Sequence, residues 1–151
     1  MKVREIMTAQ PKTASRDTTL AAAAHLLWGA DCCVLPVVDA GKLVGVVTDR
    51  DMYVALATRN KPASQLTVGD VAAGQVWACG PDDDVHVALD TMATQRVRRV
   101  PVTQDGALVG IISLNDLVLA AGADKAVRNE EVIETLKVIC AHHAAAAAAA
   151  A

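Results

Sequence analysis

Thr48 and Ser113 each stand three residues ahead of an aspartate, Asp51 and Asp116, and each closes an apolar run that carries a glycine: LVGVVTDRD over 43–51 and LVGIISLND over 108–116. At the least, a hydroxyl followed at that spacing by a carboxylate is a capping box, in which two side chains satisfy backbone amides at a helix start. The same residues can do more. A strand that ends at a helix start presents unsatisfied N–H groups and the positive end of the helix dipole, which suit a phosphate. The hydroxyl of Thr48 or Ser113 adds a donor, and the carboxylate one turn on can accept hydrogen bonds from two vicinal ribose hydroxyls. Apolar neighbouring strands offer walls for a purine. One copy alone reads as a cap, since short motifs match often by chance; two equivalent copies point to a pair of nucleotide sites.

Little else in the chain could do chemistry. There is no G-x-S-x-G, no HExxH, no P-loop, and no cysteine with the local signature of a histidine-activated nucleophile, so binding is expected and not turnover. His25 and His86 fall on expected helices without a second ligand four residues on, and no metal site is expected from them. Cys32, Cys33, Cys79 and Cys140 form no CxxC pair and read as reduced thiols that are packing or incidental residues. A redox or metal sensor built on them would need two thiols brought close in space.

The elements that must position these residues come as a repeat. A gapless shift of 65 residues lays Val3 on Val68, Asp17 on Asp82, Ala23 on Ala88, Pro36 on Pro101, Gly41 on Gly106, Leu43-Val44-Gly45 on Leu108-Val109-Gly110, Asp51 on Asp116 and Ala55 on Ala120. Each copy reads as a short helical start (3–7, 68–72), an extended piece (11–15, 76–80), a helix (18–30, 83–95) with Asp17 or Asp82 as N-cap, a Val-rich strand (33–39, 98–105), a glycine turn, an apolar strand (43–47, 108–112) and a second helix from Asp49 or Leu114. The expected class is α/β (α+β), with β-α-β-β-α order twice. The expected divisions are a first motif at 1–60, a linker at 61–67, a second motif at 68–122 and a closing amphipathic helix within 123–141, whose apolar positions are Val127, Val132, Ile133, Leu136, Ile139 and Cys140. The stretch 142–151, His142-His143 followed by alanines, reads as a tag remnant or an unassigned tail and is set aside.

The bulk composition limits the function classes. The chain of 151 residues is 53 % hydrophobic with three aromatics, Trp28, Tyr53 and Trp77, so its core must be aliphatic. A net charge of −3 argues against general nucleic-acid binding. Neither a signal peptide nor a membrane span is read from the sequence, and a cytoplasmic protein is expected.

With VREIMT near the start, VLPVVDAGKLVGVVTDRDM in the first copy and RRVPVTQDGALVGIISLNDL in the second, the sequence resembles a tandem CBS-domain pair, or Bateman module, over about Lys2 to Ala121. The resemblance implies two motifs packed through their sheets about a pseudo-two-fold axis, leaving two clefts that bind an adenine nucleotide (AMP, ADP, ATP) or S-adenosylmethionine. It implies no required cofactor, a homodimer, and regulation of a partner protein. Carried over by position, Asp51 holds a ribose in one site, with Thr48 and Arg50 near the phosphates. Asp116 holds it in the other, with Ser113, Arg98 and Arg99 near the phosphate and Thr13 framing the adenine. The positions matching Arg98 and Arg99 are Cys33 and Val34, and the position matching Thr13 is Ala78, so the Asp116 site is expected to be the stronger. The alternative is a structural dimerisation module that has lost nucleotide binding.

Overall fold

A computed structural model describes residues 1–122 and 125–149 of the chain, with side chains described as far as 141. The elements in order are β1 (Thr8–Ala9), α1 (Leu20–Gly29), β2 (Val34–Asp39), β3 (Lys42–Thr48), α2 (Asp49–Arg59), α3 (Val85–Gln95), β4 (Arg99–Gln104), β5 (Ala107–Ser113), α4 (Leu114–Ala120) and α5 (Asn129–Ala149). Single 3-10 turns lie at Val3–Glu5, Ala63–Gln65 and Val68–Asp70. The mixed α/β class read from the sequence is the one observed. The side chains of the 142–151 tail, His142 and His143 included, lie outside the described residues.

The chain divides into two compact units. One contains Gln10–Val76 and Asp105–Leu108; the other contains Met1–Ala9, Trp77–Gln104 and Val109–Ala151. In the first, β2 and β3 pair antiparallel, with Val34 opposite Thr48 and Asp39 opposite Lys42. Their turn places Ala40 and Gly41 at φ of 47° and 79°, the consecutive positive values that match a two-residue loop to strand twist. Ala14 forms a parallel bridge to Val37, its amide donating to the Pro36 carbonyl at 3.0 Å while Val38 donates to the Ala14 carbonyl at 2.9 Å. Pro36 therefore enters this bridge through its carbonyl, which tolerates a residue with no N–H. Leu20, Ala23 and Leu27 of α1 and Met52 and Ala55 of α2 bury against Leu35, Val37 and Val47, the three- and four-residue spacing of one helix face.

The second unit repeats the plan with its own residues. Cys79 bridges Val102, donating to the Pro101 carbonyl at 3.1 Å and accepting from Thr103 at 2.9 Å. β4 pairs with β5, and β5 pairs antiparallel with β1, Thr8 opposite Ile111 and Ala9 opposite Gly110. Val85, Ala88, Leu89 and Met92 of α3, Leu114 and Leu117 of α4, and Val132 and Ile139 of α5 close over Val100, Val102 and Ile112. Burial pushes the Cys79 thiol up to about 11, helped by the charge of Asp83, so it stays protonated and unreactive at neutral pH.

The units do not follow the repeat boundaries, because the opening segment of each repeat sits in the core of the other. Val68 is buried with Leu20 and Leu35, donating to the Thr18 carbonyl at 2.8 Å, and Gly69 donates to Arg16 at 2.8 Å. Val3 is buried with Val85 and Val100, donating to the Asp83 carbonyl at 2.9 Å, and Arg4 donates to Pro81 at 3.0 Å. The residues read as a linker share in this: Leu66 is 2 % exposed, and its carbonyl accepts from Leu20 at 2.9 Å.

Two readings need correction. The N-caps of α1 and α3 are Thr19 and Asp84, whose side chains accept from Ala22 and His86. Asp17 and Asp82 lie two residues too early, and Asp82 is held instead by Lys2 at 2.8 Å and by Arg4. The apolar positions of α5 split between two faces: Val127 before it and Val132 and Ile139 on it are buried, whereas Ile133 is 51 % and Leu136 38 % exposed. Among the described residues no helix is long and apolar enough to cross a membrane.

Candidate functional site

Each expected site is a strand end running into a helix. Thr48 ends β3 and caps α2; Ser113 ends β5 and caps α4, both with extended backbone (φ −111°, ψ 161° and φ −118°, ψ 162°). A β-region cap turns its side chain back over the first helical turn, which brings the residue at N3 within reach. The Thr48 amide and hydroxyl donate to Asp51 Oδ2 at 2.9 and 2.7 Å, and the Asp51 amide donates to Thr48 Oγ1 at 3.1 Å. The other copy has the same three bonds, at 2.7, 2.6 and 3.3 Å, between Ser113 and Asp116.

This geometry joins the two readings of the motif. Capping uses only Oδ2 of each aspartate; among the described residues Oδ1 makes no hydrogen bond. A carboxylate has about four lone-pair sites, so each aspartate can cap its helix and still accept from a ligand. The hydroxyls are more committed. Each already gives its proton to Oδ2, so donation to a phosphate requires that bond to be exchanged.

Gly45 and Gly110 make the approach to these strand ends possible. A Cβ on Gly45 would stand 2.8 Å from the Ala73 carbonyl oxygen, where Ala73 forms an antiparallel bridge to Val46. A Cβ on Gly110 would overlap the Met7 side chain, next to the β1 pairing. The glycine of each LVG run thus admits the short segment that arrives from the other repeat.

The remaining site residues differ between the copies. The Leu114 amide donates to the Arg98 carbonyl at 2.9 Å, as the Asp49 amide does to that of Cys33 at 3.2 Å. Arg98 therefore enters at the start of α4, beside Ser113 and Asp116, with its side chain exposed and that of Arg99 half-buried. Arg50 is exposed, and its amide caps on Asp49 at 2.7 Å. Thr13 is an exposed residue of the Gln10–Val76 unit. The turns that precede these strands have matched backbones, φ 48° at Asp31 and 54° at Arg96, but opposite charge.

A third pair of the same spacing was not singled out from the sequence. Thr67 donates to Asp70 Oδ2 from its amide at 2.8 Å and its hydroxyl at 3.0 Å, and these bonds hold the Asp70 carboxyl below its ordinary range. This box is exposed and opens a single 3-10 turn, whereas the 48–51 and 113–116 boxes are part-buried behind buried glycines. Spacing alone does not separate them; the preceding strand and its glycine do. No disulfide joins Cys32, Cys33, Cys79 or Cys140, and among the described residues no group of three or more His, Cys, Asp or Glu side chains converges to hold a metal ion.

The chain is 32 % identical over 117 residues to the CBS domain-containing protein YhcV of Bacillus subtilis, covering 78 % of this chain and 83 % of that one. Among solved structures, Hypoxic Response Protein I, described with two coordinated zinc ions, superposes with a TM-score of 0.72 at 29 % identity, over 79 % of this chain and 98 % of that one. The CBS domain pair of protein MJ0100, in complex with 5′-methylthioadenosine and S-adenosyl-L-methionine, superposes with a TM-score of 0.71 at 30 % identity, over 79 % and 94 %. The family model for the CBS domain matches twice, at residues 3–58 and 68–122, and the chain belongs to the CBS-domain family as a tandem pair.

Proposed function

We propose that the chain is a non-catalytic regulatory module that binds an adenosine-containing ligand and signals through a homodimer or a protein partner in the cytoplasm. Asp116 accepts from the ribose of one ligand, with Ser113, Arg98 and Arg99 toward its phosphate. Asp51 does so for a second, with Thr48 and Arg50. Thr13 is carried as the adenine-framing residue on the family's pattern alone. The observation that supports this most is the doubled carboxylate, anchored through Oδ2 with Oδ1 unengaged among the described residues. Adenosine ligands on the MJ0100 pair support the ligand class; whether AMP, ADP, ATP or S-adenosylmethionine binds is what the test decides.

The test is thermal unfolding with each ligand on the wild type, Asp116→Ala and Asp51→Ala. A ligand at about 100 times its Kd should stabilise by roughly 2.7 kcal/mol, a rise of roughly 5–10 °C. Both substitutions lower the unliganded midpoint by removing a cap, so the ligand-induced rise is the quantity to compare. The expected outcome is a rise lost in Asp116→Ala and kept in Asp51→Ala. No rise with any ligand would favour a structural interaction module.

A further inference from the structure

One cluster outside the site joins two helices through a titratable group. His86 lies in the first turn of α3 with Asp84 as the N-cap, and its Nε2 stands 3.6 Å from Glu131 Oε2 in the first turn of α5. Its Nδ1 is bonded to Asp84 Oδ1, and its amide donates to the same oxygen at 3.0 Å. The two helices pack within one unit through Val85, Leu89, Met92, Val132 and Ile139.

A neutral imidazole carries one N–H and one lone pair. Only the imidazolium carries the charge that pairs with both carboxylates, by a hydrogen bond to Asp84 and as an ion pair at 3.6 Å with Glu131. Asp84 holds the nearer nitrogen, so a neutral ring keeps its proton on Nδ1 and turns its lone pair toward Glu131. We propose that His86 is a pH-sensitive latch, its charged form tying the start of α5 to α3 and its neutral form releasing that tie.

The other charged groups around the cluster do not substitute for it. The Met1 ammonium lies 3.4 Å from Asp84 Oδ2, and Lys2 and Arg4 are taken up by Asp82. Arg128 serves Glu131 from its own turn, by its amide at 2.8 Å and its guanidinium at 3.3 Å, which secures the α5 cap whether or not His86 is charged. The hydrogen bond from Asp84 is the main cause that raises the His86 pKa above 6.5, against partial desolvation and with help from the charges of Asp84 and Glu131. A His86 amide bond chiefly holds Asp84 down at about 2, and the Arg128 amide chiefly lowers Glu131, so both carboxylates are charged near neutrality. Because the folded pKa is the raised one, the latch is fully present below the unfolded value and is lost as pH rises through the folded value.

The experiment is hydrogen exchange on the full chain at about pH 6 and about pH 8.5, corrected for intrinsic exchange, with His86 followed by NMR across its ordinary titration range. In the wild type, opening of the first turns of α5 should rise about two- to fivefold at the higher pH, the scale of an exposed ion pair, while β4 stays constant. Glu131→Gln keeps a capping residue at N3 and removes the charge; it should abolish the pH dependence and lower the His86 midpoint. His86→Asn should open equally at both pH values, and it carries the test if Glu131→Gln does not fold. A wild type whose α5 opens equally at both pH values, or a Glu131→Gln variant that keeps the dependence, overturns the latch.

Discussion

The two strand-to-helix corners differ in an instructive way. Their backbones agree closely: the same cap conformation, the same three bonds between the cap residue and the aspartate, a glycine three residues before each cap, and a left-handed residue before the entering strand. Their charges do not agree. Asp31, Cys33, Val34 and Asp49 in the first copy stand where Arg96, Arg98, Arg99 and Leu114 stand in the second. Backbone geometry restricts residue type at the cap, the glycine and the turn, and leaves charge at the neighbouring positions open. Where two copies share a frame and differ in charge, the difference is not imposed by the backbone.

The sharpest way to break this comparison is the ligand response. Asp116→Ala should weaken binding at least about tenfold, the cost of about one charge-assisted hydrogen bond, whereas Asp51→Ala should change that affinity little. Isothermal titration checks both, and equal losses would end the claim of unequal sites.

A second comparison concerns the two strand glycines. Gly45→Ala meets a backbone oxygen at 2.8 Å, whereas Gly110→Ala meets the flexible Met7 side chain. Gly45→Ala should destabilise by about 1–3 kcal/mol, and Gly110→Ala by less. Urea midpoints measure this, and the reverse order would mean that the Ala73 segment yields more readily than Met7.

Removing the hydroxyls should make the corners look alike again. Thr48→Ala and Ser113→Ala should each cost about 1 kcal/mol without ligand, since each deletes the same cap. Unequal costs in thermal unfolding would show that the frames are less alike than their bonds.

The smallest effect lies in the hairpin turns. Ala40 has a φ of 47° where the other copy has Asp105 at 53°. Aspartate and asparagine tolerate this region better than alanine, so Ala40→Asp should stabilise by about 0.5–1 kcal/mol, read as a higher unfolding midpoint.

Much of this was legible in the sequence. The 65-residue shift, the turn glycines and the two hydroxyl-aspartate pairs are local patterns, and local patterns survive into structure because they act through neighbouring backbone groups. The cap of α3 is not legible because Asp82, Asp83 and Asp84 are chemically alike, and their partners separate their roles: Lys2 and Arg4 for Asp82, the Gly80 amide for Asp83 and the His86 amide for Asp84. The outward face of α5 was hidden for a related reason: Val132 and Ile133 are equally apolar, and which one is buried depends on what α3 presents. The partner of each opening segment is not a local property. Val3 and Val68 occupy equivalent positions in near-equivalent runs, and nothing within five residues of either states which core it will enter.

The exchange of those opening segments also sets an order of events for a chain made from its N-terminus. The core around Leu20 and Leu35 gains its missing Val68 soon after the first copy is made. The opposite segment must wait. Val3 and Thr8 stay unpartnered until Val85, Val100 and Ile111 exist, a closure spanning on the order of a hundred residues. Non-local pairing of this kind slows folding and leaves apolar chain uncovered meanwhile. A break between the copies would leave each fragment without its own opening segment's partner, and the two pieces would have to meet to complete either core.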